Sequence, residues 1–239
     1  MAKLIKFTAQ DPYFFEVCPK PIPASQAVPQ WWKDAPPYMI TENNPTGTKL
    51  NLNGMSRQAS FKKCTPMLDS ITSGYVFPLW ADVLVTQTDQ GPSLTWRVSK
   101  SVFSLHTKGG KMPTFPGYHE QPFKYNNAWI PKLPKGYSAY ITPVAGNPDA
   151  IFHPITGIID YDKSIHQLSV PGYIKEGFEG IIEKGTPMFQ LTPFKRENWV
   201  SEFDHYTDFH TYSAIEDREV LATIINNYIK NVWHKKSYK

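Results

Sequence analysis

Two stretches before the middle of the chain alternate apolar and polar residues, and a side-chain period of two belongs to a strand with one buried face. In GYVFPLWADVLVTQT, residues 74–88, Val83 and Val85 alternate with Asp82, Leu84 and Thr86. In SLTWRVSKSVFSL, residues 93–105, Leu94, Trp96 and Val98 alternate with Thr95, Arg97 and Ser99. Asp89, Gln90, Gly91 and Pro92 lie between them and supply a turn, so the pair reads as a β-hairpin. Further strands are expected in KLIKFT (3–8), NNAWIPKL (126–133), GYSAYITPV (136–144) and GIIDYD (157–162). In IIEKGTPMFQLTPFKR, residues 181–196, Lys184, Gly185 and Thr186 make a tight turn. Met188, Gln190, Thr192 and Phe194 then share one strand face, while Phe189 and Leu191 share the other. That turn predicts a second hairpin with the preceding GIIE, and Pro193 predicts a strand end or an edge.

The rest of the chain punctuates this pattern. Prolines at 19, 21, 23, 29, 36 and 37 remove backbone donors and disfavour helix before them, so residues 1–60 read as an extended arm with one turn at Gln30 to Lys33. Trp31 and Trp32 are its expected anchors, packed on their own domain or on a neighbouring subunit. Residues 107–123 carry three Gly and three Pro without a period and read as a long loop of the kind that lines sites. A capping box, Ser213 with Glu216, opens a helical period through Leu221, Ile224, Ile225, Tyr228, Ile229 and Val232, which predicts a C-terminal helix over 213–233. The expected fold is mainly β: an antiparallel β-sandwich or jelly-roll-like barrel in a single domain over 1–239. It has the proline-rich arm at 1–60, a β core at 61–200 and one C-terminal α-helix.

Composition supports that class. With 22 Pro, 14 Gly and 14% aromatic residues in 239 positions, short strands and rigid turns are favoured over long helices. A formal charge of +4, thinly spread, gives no strong nucleic-acid signal. Cys18 and Cys64 form no framework and no metal-type spacing. Without a leader-like apolar run or a membrane-length segment, a soluble cytoplasmic protein is expected, with no membrane partner.

The succession PKGYSAYITPVAGNPDAIFHPITGIIDYD followed by FEGIIEKGTPMFQLTPFKRENW, residues 134–199, is similar to a group of proteins of tailed phages, notably those of marine bacteria, and of some bacteria. WWK at 31–33 and KKCTPMLDSITSGY at 62–75 extend the resemblance more loosely. No activity is attached to that group, so the resemblance implies a bacterial or phage-infected cell and no reaction. The turn and Gln-bearing strand at 185–191 also resemble part of the dUTPase barrel, whose other motifs are absent.

Asp160 and Asp162 follow the apolar run 157–159, and in an extended chain their carboxylates point the same way, as two ligands for one hard cation and a diphosphate. The structural alternative is a pair of carboxylates anchoring a loop at a strand end. Lys195 and Arg196 offer a clamp for a carboxylate or phosphate, Arg with the bidentate geometry, or an exposed strand end. His205, Asp208 and His210, with Glu202 and Asp204, form the densest set of metal-type donors. Turn and capping bonds before residue 213 account for them as well. A divalent metal is the cofactor class left open. No H-E-x-x-H, His-x-His, His-x-Asp or His-x-Glu occurs, and neither does a P-loop, a Gly-x-Gly-x-x-Gly, a Gly-x-Ser-x-Gly or a zinc-finger spacing. Lys62 and Lys63 beside Cys64 favour a thiolate there, whereas a buried, inert thiol is the plainer expectation. His106, Tyr118, His119 and Glu120, in or beside the 107–123 loop, are further candidate polar groups of a pocket.

These residues leave three function classes. The first is a small-molecule binding protein or metal-assisted enzyme, with ligands held by Asp160, Asp162, Arg196 and the 202–210 cluster. The second is a phage structural or assembly protein, for which clasping arms, exposed aromatics and β architecture are normal; in any class the partner is a small molecule or a second copy, with a homo-oligomer formed through the arm or the C-terminal helix. The third is a module binding a host protein.

Overall fold

Among the described residues every strand pairing is antiparallel, so the protein is mainly antiparallel β, as the alternating pattern predicts. The computed structural model describes residues 3–48, 59–108, 114–164, 169–203 and 228–239. Contacts divide the chain into two units, one drawn from 1–27, 73–196 and 238–239, the other from 28–72 and 197–237.

The first unit holds the sheets. In chain order its strands are β1 (Lys6–Ala9), β2 (Ile22–Pro23), β3 (Tyr75–Pro78), β4 (Val83–Thr88), β5 (Gly91–Thr95), β6 (Phe103–Leu105) and β7 (Tyr118–Asn126). They continue with β8 (Trp129–Lys132), β9 (Tyr137–Thr142), β10 (Phe152–Pro154), β11 (Gly157–Ile159), β12 (Ser169–Lys175), β13 (Gly180–Ile182) and β14 (Pro187–Lys195). Five strands run in the order β11-β9-β14-β3-β2, four in the order β10-β12-β7-β6, three in the order β13-β4-β5, and β1 pairs with β8.

The hairpin of β4 and β5 forms where the alternation places it, with Val85 opposite Leu94. Its second strand stops at Thr95, and Phe103–Leu105 belongs to a different sheet, on β7. The hairpin expected around Gly185 does not form. β13 pairs with β4, with Ile181 opposite Leu84, while β14 crosses to the five-stranded sheet and lies between β3 and β9. The turn is real, with Gly185 at φ 95° and Thr186 N donating to Glu183 O, but its other backbone bonds run to Leu79, and it joins two sheets instead of two neighbours. Pro193 sits where β14 has outrun β3 and keeps only β9 as a partner, a one-sided position that tolerates a missing donor.

Two other expectations change. The stretch read as a loop to residue 123 becomes β7 from Tyr118, because Phe123 and Tyr125 are buried there and their burial outweighs Pro122. The arm is not extended throughout. Asp11 accepts a hydrogen bond from Phe14 N at 2.9 Å and Pro12 takes the first helical position, starting α1 (Pro12–Val17).

The main core lies between the sheets. Phe77 and Phe189 stack at 4.5 Å, Phe7 meets Tyr75 and Phe77 edge-on, and Phe14 meets Trp80 edge-on at 5.0 Å. Polar tips of the buried rings are satisfied: Trp80 Nε1 donates to Asn126 O, Trp129 Nε1 to Pro19 O, and the Tyr125 hydroxyl to Pro78 O. The Trp129 bond holds the segment after α1 onto β8 within the first unit.

The second unit contains α2 (Gln30–Asp34) and α3 (Thr65–Thr72). Trp32 is buried and Trp31 half-covered, and both rings contact Phe61 at 5.8 Å. The Lys62 ammonium donates to Trp32 O and lies 5.5 Å from the Trp32 ring centroid. Trp233 Nε1 and Lys236 Nζ both reach Asp69. Of the helix expected over 213–233, residues 213–227 lie outside the described residues, and Tyr228–Val232 form a π-helical turn.

Candidate functional site

Asp160 and Asp162 follow β11 in a tight turn, where the N–H groups of Lys163 and Ser164 both donate to Asp160 O. Tyr161, between them, is driven into the core, which leaves both carboxylates on the opposite side. The cation they share is Arg196. Its Nη1 donates to Asp162 Oδ1 at 2.9 Å and its Nη2 to Asp162 Oδ2, while Nη1 lies 3.1 Å from Asp160 Oδ1. The Ser138 hydroxyl donates to Asp160 at 2.6 Å, Gly136 N to Asp162 at 2.9 Å, and Arg196 N to Gly136 O at 2.9 Å.

This network holds both acids below the usual carboxylate range. For Asp162 the chief cause is the Arg196 guanidinium, then the Gly136 N–H. For Asp160 it is the Ser138 hydroxyl, with Arg196 adding to it. The geometry is bidentate and charge-assisted, and it fastens the end of β14 to the turn after β11 and the start of β9. A hard cation at these carboxylates would have to displace the guanidinium. Lys195, expected to share the clamp, is the exposed last residue of β14, opposite Tyr137. His205, Asp208 and His210 lie outside the described residues. Among the described residues no group of three or more His, Cys, Asp or Glu is arranged to hold a metal.

Gln190, the polar residue in the strand after the Gly-Thr-Pro turn, is 2% exposed. Its Oε1 accepts from Ala145 N at 3.0 Å and its Nε2 donates to Ser73 O at 2.6 Å, so the amide joins three separated segments. Cys64, expected to be buried, is exposed, whereas Cys18 is buried. Burial raises the Cys18 thiol to about 11.

A cleft of about 460 Å³ opens elsewhere in the first unit. Register builds its floor. Ile181 lies opposite Leu84 and Leu84 opposite Thr95, so the three form one row across the outward face of the three-stranded sheet. Val83, Val85 and Ile182, on the alternate positions, point into the core. Tyr13 and Val17 of α1 form one wall, and Trp96, Arg97 and Val98, just beyond β5, form another. Lys184 closes the end from the turn after β13, its ammonium donating to Val17 O at 2.7 Å and its backbone N to Asp82 Oδ1 at 2.6 Å.

Sequence reasoning missed this cleft, although one signal was present. Leu84 and Ile181 occupy the outward phase of their strands, where polar residues belong, and remain 44% and 60% exposed. His119, read as a pocket group, packs its ring on Gly91 and accepts from Gln121 N. Gly91 and Gln121 line a second, more open hollow of about 550 Å³ that shares Trp96 with the first.

No protein-family model matches the chain, and no curated protein matches it. Among solved structures, a mutant dUTPase from phage phi11 of S. aureus, described with a structural Mg(II) ion, is 13% identical. It covers 57% of this chain and 84% of its own at a TM-score of 0.31. A likeness at that score carries no argument about fold detail or function. Among the described residues no helix is long and apolar enough to cross a membrane.

Proposed function

We propose that this is a small-molecule binding protein of the cytoplasm of a bacterial or phage-infected cell, and that its ligand occupies the cleft floored by Leu84 and Ile181. One observation carries the reading: two aliphatic side chains stand outward on a sheet face where water would favour polar ones, inside a hollow walled by Tyr13 and Trp96. A volume of about 460 Å³ falls within the roughly 300–1,000 Å³ range of ligand pockets, which are mostly apolar with a few placed polar groups. The Asp160, Asp162 and Arg196 network supports a structural role, since its charges are already paired with one another.

The test is a fragment screen read by the Trp96 indole resonance in the ¹⁵N-labelled protein. Hits that shift Trp96 and vanish in Leu84→Thr are expected. A screen whose hits all spare Trp96 would remove the reading.

A second reading, a phage structural or assembly protein, is favoured by Trp199, Val200 and Phe203, which are 86%, 98% and 94% exposed. Apolar side chains so open to water are the kind that associating chains cover. A mass-spectrometric inventory of purified particles tests it: presence at stoichiometric copy number supports a virion role, and absence rejects it.

A further inference from the structure

Taking the cleft as a ligand site, on which this inference rests, we infer that its ligand is an organic anion. A flat apolar body lies on Leu84 and Ile181 beside Trp96, and a carboxylate or phosphate meets Arg97. The charges around the cleft decide the class. Asp82, Arg97 and Lys184 are its ionisable groups of fixed charge. The Asp82 carboxylate already accepts the Lys184 backbone N–H, and the Lys184 ammonium donates to Val17 O. Nearby, Lys100 is paired with Asp11. Arg97 has no hydrogen-bond or ion-pair partner among the described residues, although it lies next to Trp96 on the same wall.

A guanidinium at the edge of an apolar hollow matches a carboxylate or phosphate better than a neutral or cationic ligand group. It offers two parallel donors, is weakly hydrated and keeps its charge at every physiological pH. The two cations exceed the one acid, so a cationic ligand meets net repulsion and a neutral one adds no counter-charge for Arg97, which has none among the described residues. The shape of the apolar part follows from the floor and walls. Ile181, Leu84 and Thr95 form one row across a sheet face, and the aromatic rings of Tyr13 and Trp96 in the lining suit a fused or conjugated ring system.

A matched series with one apolar body separates charge from shape: 2-naphthoate, 2-naphthyl phosphate, neutral 2-naphthamide and cationic 2-naphthylmethylammonium. Each is titrated into the full chain while the Trp96 indole resonance is followed. The expected result is that one or both anions bind about 10-fold or more tighter than the amide, and the ammonium weaker than the amide. In Arg97→Gln the anion preference should disappear while amide binding persists, and Arg97→Lys should restore part of it. Equal binding of amide and anions, or a preference unchanged in Arg97→Gln, overturns the anion inference and leaves the cleft reading standing. If no member of the series moves Trp96, the anion inference falls; whether the cleft reading falls with it is decided by the wider fragment screen.

Discussion

Arg196 and Asp162 stand 34 residues apart in sequence and meet through two parallel hydrogen bonds, with the Asp162 side chain 3% exposed. The pair closes the first unit where β14 ends and the chain leaves for the second. Both carboxylates on Arg196 titrate below their ordinary values. Their contribution to stability is therefore complete above the unfolded-state value of about pH 4 and is lost as pH falls through the lower folded values. Arg196→Ala is expected to lower Tm at pH 7 by several degrees, roughly. Between about pH 5 and pH 2 its loss of Tm should be shallower than that of the parent protein. Circular-dichroism melts across that range check it, and parallel curves would contradict it.

Gln190→Ala leaves the Ala145 N–H and the Ser73 carbonyl without their partner in a site closed to water. A buried group that loses its hydrogen bond costs about 1–3 kcal/mol, and urea unfolding should show a loss of that order with an unchanged slope. Gln190→Leu, which fills the space but cannot bond, should recover little. Full recovery by Leu would mean that packing, not the amide, matters here.

Gly74 and Gly185 both have positive φ, 75° and 95°, yet their surroundings differ. A Cβ on Gly74 would lie 2.0 Å from Leu191 O, while one on Gly185 meets nothing within 4 Å. Gly185→Ala should therefore cost only the left-handed penalty, roughly 1–2 kcal/mol, and Gly74→Ala clearly more, since backbone must move. Denaturant midpoints of the two variants give the order, and equal losses would refute the steric account.

The cysteines should separate by reactivity. Cys64 is exposed, and Cys18 is buried with its thiol raised to about 11, so at pH 8 very little of it is thiolate. Ellman's reagent on the native protein should titrate Cys64 promptly and Cys18 only after unfolding. Two equally fast native thiols would be incompatible with this packing.

Residue alternation at 83–86 specified which side chains face the core, and β4 with β5 formed as their period and turn demand. Alternation names a face, not a neighbour, which is why the turn at Gly185 was legible while the partners of β13 and β14 were not. β12 escaped notice because Pro171 and Gly172 interrupt its pattern. The structure explains the glycine, since a Cβ there would lie 2.5 Å from both His153 O and the Phe152 ring. The clamp at Arg196 was legible as chemistry, a guanidinium suited to a carboxylate, but the carboxylate is the chain's own. The cleft was written only as two aliphatic residues out of phase.

β14 also sets the timetable of folding. Gln190 bonds to Ser73 across 117 positions, and β3 finds its central partner only in β14, so a strand translated early waits for one translated late. Closing so long a loop precedes any reward from the contacts it brings together, which places such topologies among the slow folders, roughly milliseconds to seconds. During that wait Phe77 lacks the Phe189 ring it stacks on, an interval in which a chaperone has something to hold.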